Sequence, residues 1–320
     1  MMAYLFYLCG MSGFKERYVN PFTDYGFKRL FGEEPSKDLL LDFLNELLSE
    51  EQGRITNLTY LKTDHLGNTE EQRKAVFDLY CENEQGQKFI VELQKTKQKF
   101  FKDRTVYYST FPIREQAEKG SEWNFELQAV YTIAILDFVF EEDQNEPEKY
   151  RYDVKLSDID TCKVFYDKLT FIYLEMPKFR KELNQIDTRF EKWLYVIRNL
   201  NKLERIPEEL REGIFERLFE IAEIAKFSPQ EAEAYEDSLK VYRDLKNSID
   251  LARELAMEEG KKEGMKEGIK EGIKEGMEEG RKEKALEIAK MLILENTPME
   301  KVAKYTGLPL EEIKRLKNGD

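Results

Sequence analysis

Val76-Phe77-Asp78-Leu79-Tyr80, a polar stretch from Glu82 to Gln87, and Phe89-Ile90-Val91-Glu92-Leu93-Gln94 decide the fold. Each apolar half alternates with the period of a β-strand, and the polar stretch joins the two as a hairpin. Asp78 sits on the first strand, and Glu92 and Gln94 sit on the second. Residues two apart share a face of a strand, so Glu92 and Gln94 point the same way. Partners across a hairpin have numbers that sum to a constant. An odd-length loop centred on Gln85 sets Asp78 opposite Glu92, with Cβ atoms roughly 5 Å apart. A two-residue Gln85-Gly86 loop sets Asp78 against Leu93 instead and opens the site on one side. Two facing carboxylates repel unless a cation bridges them, and hard oxygen ligands of this kind suit Mg²⁺ or Mn²⁺. A charge among apolar strand residues needs a partner, unless the position is an edge facing solvent.

Asp78, a hairpin and then Glu92-Leu93-Gln94 resemble the core of PD-(D/E)xK nucleases, in the variant where Gln replaces the superfamily's Lys. Upstream, Asn20-Pro21-Phe22-Thr23-Asp24-Tyr25-Gly26-Phe27-Lys28 is similar to the recombination-promoting nuclease (transposase-like) family of that superfamily; so is Arg104-Thr105-Val106-Tyr107-Tyr108 downstream. The resemblance covers residues 15–140 well and the helical remainder loosely. It implies an α/β fold: a restriction-endonuclease-like core, with a mixed central sheet flanked by helices, and an all-helical C-terminal extension. It implies that Asp78 and Glu92, with the Leu93 carbonyl, hold the metal. Gln94 would orient the attacking water, although a neutral amide supplies no positive charge, so turnover is expected to be low. Asp24 would lie near the metal by resemblance; by position it caps the helix that follows. Lys28, one turn on, would share its face and reach a phosphate. Arg104 and Tyr108, four apart on a helix, would support the scissile phosphate; the plainer alternative is core tyrosines and a surface arginine.

The chain's 320 residues hold one large domain with an appendage, or two domains. Hydrophobic residues at 41 % suffice for a core, while 36 % charged residues point to long exposed helices. The net charge of −13 runs against a nucleic-acid binder unless positive charge is local. Lys95, Lys97, Lys99, Lys102 and Arg104 do cluster after Gln94, with only Asp103 among them; a solvated helix start is the rival reading. Cys9, Cys81 and Cys162 are dispersed, which suggests no zinc site or disulfide framework and a reducing cytoplasm. Residues 3–8 are apolar but too short for a membrane span, and lack the marks of a signal peptide. Either Met1 or Met11 could be the start. The lone His65, a loop residue between strands, leaves histidine-dependent triads unsupported, and no phosphate-cradling glycine loop follows a strand.

Periodicity predicts helices over 35–51, with Ser36 as cap, and over 98–119, where Pro112 should kink or end the helix. Strands are predicted over 55–61, 125–138 and 169–175. Helices follow over 190–203, 207–226 and 229–257. Then Gly260, Gly264, Gly268, Gly272, Gly276 and Gly280 recur every fourth residue, interleaved with Glu and Lys. Each Gly costs a helix about 1 kcal/mol relative to Ala, and Glu–Lys pairs return only a few tenths. The repeat is therefore either a partly helical charged linker or a helix–helix contact that makes a homo-oligomer. Residues 298–316 read as helix, Gly turn, helix, resembling a helix-turn-helix, but Glu311 and Glu312 would repel a phosphate backbone. The domain reading is a nuclease-like core (14–180), a helical region packed on it (181–257), the repeat (258–284) and a small helical unit (285–320).

The sequence thus points to a cytoplasmic, Mg²⁺- or Mn²⁺-dependent DNA endonuclease of little sequence specificity, linked by resemblance to recombination or mobile elements. Lys28, Lys95, Lys97, Arg104 and Tyr108 are the DNA-contacting candidates. RNA as substrate, and a catalytically inactive scaffold that oligomerises, are the alternatives.

Overall fold

The computed structural model of the protein describes residues 16–49, 53–62, 64–65, 75–117 and 124–318. Residues 3–8, Cys9 and both candidate start methionines lie outside them. Two helices, α1 (Asp24–Phe31) and α2 (Lys37–Leu47), precede five short strands. These are β1 (Leu58–Tyr60), β2 (Asp64–His65), β3 (Ala75–Val76), β4 (Leu79–Asn83) and β5 (Lys88–Gln94). Helix α3 (Phe101–Glu115) leads to β6 (Val130–Leu136), β7 (Arg151–Ser157) and β8 (Val164–Glu175). The rest is helical: α4 (Arg189–Asn199), α5 (Gly213–Ala222), α6 (Pro229–Leu294), α7 (Met299–Thr306) and α8 (Leu310–Asn318).

Six strands form one mixed sheet in the order β1-β4-β5-β6-β8-β7, while β2 and β3 pair separately. Strands β5, β6 and β8 run parallel, and β1, β4 and β7 are antiparallel to their neighbours. Helix α3 supplies the crossover that a parallel β5–β6 pair requires. Alternate residues of β5 divide between two layers. Phe89, Val91 and Leu93 join the main core with α1, α2, α4, α5 and the start of α6, whereas Ile90 packs with Phe77, Tyr80 and Phe111 of the α3 layer. Helices therefore cover both faces, as a buried parallel centre demands. This is the α/β architecture of a restriction-endonuclease-like core, with the expected helical C-terminal region.

The hairpin adopts the odd-length register, with Leu79 opposite Val91 and Cys81 opposite Phe89. Gly86 takes φ +78°, and the Asn83 side-chain oxygen accepts the amides of Gln85 (3.0 Å) and Gln87 (2.9 Å). A three-residue hairpin loop needs a left-handed residue at its third position, which glycine adopts without steric cost. Carrying the register back one residue sets Asp78 opposite Glu92.

Several local expectations change. Ser36 donates to the Glu33 carbonyl (3.2 Å) rather than capping α2 with its side chain. Thr23, not Asp24, caps α1: its hydroxyl accepts the Gly26 amide at 3.0 Å. Pro112 neither ends nor divides α3, which runs on to Glu115; so close to the terminus its missing N–H removes one helical bond. His65 lies on strand β2 rather than in a loop. Strand β7 was not expected, because its residues are mostly exposed and polar, as befits an edge.

The chain forms two compact units, Met1–Arg243 and Asp244–Asp320. Helix α6 belongs to both, and the glycine repeat is helical from Gly260 to Gly280, not a part-helical linker. In the second unit, Ala289, Val302, Leu308 and Ile313 form a small core between the end of α6, α7 and α8. Gly307 ends α7 at φ +71°.

Candidate active site

The site lies where β4 begins and β5 ends. Asp78 lies in a bend just before β4 rather than on the strand, and Glu92 shares the β5 face of Ile90; the charges of both act on Tyr108 of α3. The Asp78 carboxylate accepts the Leu93 amide at 2.8 Å, and the Asp78 amide points at Glu92 Oε1, 3.4 Å away. Each acid thus engages the opposite strand's residue across the hairpin. Glu92 and Gln94 are 6 % and 7 % exposed, so neither is a solvent-facing edge residue.

Burial raises the proton affinity of both acids. For Glu92 desolvation is the main cause and the Asp78 charge adds to it, against Arg104; its pKa is pushed up to about 8. For Asp78 desolvation again leads, opposed by the Leu93 amide, while Asp24 raises its pKa and Lys28 and Lys95 lower it. Two like charges in a poorly solvated place are what a divalent cation would relieve.

Helix α3 faces this pair. Arg104 Nη2 donates to Gln94 Oε1 at 2.5 Å, and its Nη1 donates to Gln98. The guanidinium stacks 4.9 Å from the Phe101 ring and 5.6 Å from that of Tyr108. Its Nε is buried without a hydrogen-bond partner. Tyr108 in turn packs edge-on against Phe77 at 5.2 Å. Gln94 also donates its amide to the Thr96 carbonyl at 2.8 Å, so its oxygen and one of its two N–H groups are engaged.

Asp24 and Lys28 reach the sheet end from α1 and pair with each other at 3.1 Å. Lys95 lies near Asp24 and Asp78: burial lowers its pKa, and those two acids oppose the shift. Lys97 and Lys102 are drawn away, to Glu141 and Glu142. The lysine run after Gln94 is therefore partly neutralised by acids some forty residues later. Among the described residues no cluster of three or more His, Cys, Asp or Glu side chains forms.

A family model described as PD-(D/E)XK nuclease family transposase matches residues 21–252. The chain belongs to that family. No curated protein and no solved structure matches it. Membership of this nuclease family implies DNA as substrate, and nucleases of this class generally use divalent metals. The donor set fits such a group: a buried carboxylate, Glu92, beside a half-buried one, Asp78, each with a raised proton affinity. Among the described residues no helix is long and apolar enough to cross a membrane.

Residues outside the predicted set hold this end of the molecule in place. The Asn20 amide donates to the Tyr235 hydroxyl (2.9 Å), and the Tyr25 amide donates to Ser238 Oγ (3.0 Å). Helix α6 thereby anchors the turn that carries Asp24. Tyr242 donates to Asp137 (3.2 Å), whose amide binds the Gln94 carbonyl at 2.9 Å. The three contacts made by α6 span more than a hundred residues, and no local pattern announces them. Replacing Tyr235 by Phe strands a buried amide, so unfolding free energy should fall by about 2 kcal/mol. Chemical denaturation of the two proteins measures this; unchanged stability would show that the bond contributes nothing.

Proposed function

We propose that this family member is a divalent-metal-dependent DNA endonuclease that grips the backbone and reads little sequence. The observation that carries the reading is the Asp78/Glu92 pair, Glu92 buried and Asp78 half-buried, set against Arg104 at the end of the parallel sheet. In this reading Asp78, Glu92 and the Leu93 carbonyl hold Mg²⁺, with Mn²⁺ as a substitute. When bound, the ion supplies a water of lowered pKa and charge stabilisation on the phosphoryl oxygens.

The chain's own residues bind and orient the substrate. Gln94 keeps one amide N–H beyond its bond to Thr96, and that donor orients the attacking water. Gln94 also aims Arg104, whose guanidinium charge attracts the phosphate. The Tyr108 ring backs the guanidinium and limits its rotamers. Asp24 completes the acidic end of the site. Lys28 and Lys95 hold the flanking backbone, and Lys97 joins them by exchanging Glu141 for a phosphate.

Nicking of supercoiled plasmid at low salt, with Mg²⁺, Mn²⁺ or EDTA, tests this. Wild type should nick only with metal, and Asp78→Ala should lose at least ~10³-fold in rate, the share expected of a metal ligand. Raising salt from about 50 to 200 mM should weaken binding by ~10-fold or more. Equal traces in wild type and variant would mean contamination. No cleavage of DNA by wild type under any metal would overturn the reading, in favour of RNA or of an inactive scaffold.

A further inference from the structure

Four large apolar side chains stand in a row on the second unit's part of α6. Met265, Ile269, Ile273 and Met277 are 70, 53, 58 and 69 % exposed. Four-residue steps advance each about 40° around a helix, so the row is one continuous, slowly turning stripe. A contiguous apolar stripe on a helix this charged marks a contact surface. Beside it lie Gly264, Gly268, Gly272 and Gly276, and a Cβ added at any of them would meet nothing within 4 Å.

The flanking charges narrow the choice of occupant. Lys266, Lys270 and Lys274 alternate with Glu267, Glu271 and Glu275, so the stripe has no net charge to attract nucleic acid or an anionic membrane. Among the described residues, Lys262 with Glu258 is the ion pair of this stretch. In helical projection the glutamates flank the glycine side and the lysines flank the apolar side. When two such helices pack in parallel about a two-fold axis, the glutamate flank of one meets the lysine flank of the other. An antiparallel pair would set like against like. A repeat longer than 3.6 residues turns such a pair right-handed, and glycines permit the close crossing.

We propose that residues 260–280 are a self-association surface, pairing with the same residues of a second copy in parallel. This is independent of the nuclease reading, so either can fail alone. The test is the mass of the full chain by sedimentation equilibrium at micromolar concentration. Wild type should give twice 38.1 kDa. The double variant Ile269→Glu/Ile273→Glu should raise the dissociation constant ~100-fold or more, by setting carboxylates in the contact. Its circular dichroism should match wild type, since both positions are exposed. Gly264→Cys in a Cys9→Ser/Cys162→Ser background should cross-link on oxidation, because the two copies of residue 264 meet only in a parallel, in-register pair. A wild-type mass of 38.1 kDa, a dimer unmoved by the double variant, or a dimer that does not cross-link would each overturn the proposal.

Discussion

Glu92→Gln should raise the melting temperature of the metal-free protein at pH 8 and should abolish the proposed plasmid nicking. Burial and the neighbouring Asp78 charge push the Glu92 pKa from its ordinary 4.5 to about 8. Between those values the folded chain binds a proton that the unfolded chain has released. Stability therefore falls as pH rises through that window, by up to ~1.4 kcal/mol per pH unit from this one group, and is flat below it. Glutamine has the same shape, keeps an oxygen for the Asp78 amide and never ionises. Its advantage at pH 8 should reach ~4 kcal/mol, or ~8–16 °C in melting temperature. At pH 4.5 the two proteins should melt together. Mg²⁺ should narrow the difference at pH 8 by stabilising wild type, if the ionised carboxylate is its ligand as proposed. Thermal melts at both pH values, with EDTA and with Mg²⁺, read all of this alongside nicking. A variant that melts below wild type at pH 8 in EDTA would mean that Glu92 is ionised and satisfied without metal.

The second large effect concerns Gly26, on the turn that delivers Asp24. A Cβ there would lie 2.2 Å from the Asn20 carbonyl oxygen and 2.7 Å from Thr23 Oγ1. Both atoms already serve the cap. The Asn20 oxygen accepts the Thr23 amide at 3.1 Å and its hydroxyl at 2.7 Å, and the Thr23 hydroxyl accepts the Gly26 amide at 3.0 Å. The obstacle is thus mainly backbone, which cannot swing aside as the end of a side chain can. Gly26→Ala should cost about 3 kcal/mol, lowering the melting temperature by ~6–12 °C, and should impair nicking through Asp24. Gly213→Ala is the control, because nothing lies within 4 Å of the added Cβ there. A Gly26→Ala protein that melts with wild type would show that the turn can rearrange.

Much of the site was legible because a strand's side chains alternate strictly. That period alone set Glu92 and Gln94 on one face, and it named Asp78 as the charge needing a partner. It left the register open, since loops of two and three residues fit the same polar stretch. Gly86 and the Asn83 side chain decide between them, through a left-handed turn whose hydrogen bonds form only in the folded hairpin. Helix α1 was legible too, but Asp24 as its cap was not correct: Thr23 one residue earlier has the extended backbone that a cap requires.

Although it missed β2 and the edge strand β7, the sequence by itself determined the helices and strands of the core around the site, the alternation along β5, and the family whose motifs it carries. It could do so because periodicity and turn chemistry act between residues close in the chain. Only the tertiary structure decided which charges meet. Glu141 and Glu142 draw off Lys97 and Lys102, Gln94 binds Arg104 rather than standing free, and α6 reaches back to hold the Asp24 turn. Electrostatic and hydrogen-bond partners are chosen by distance in space, which a linear pattern does not encode.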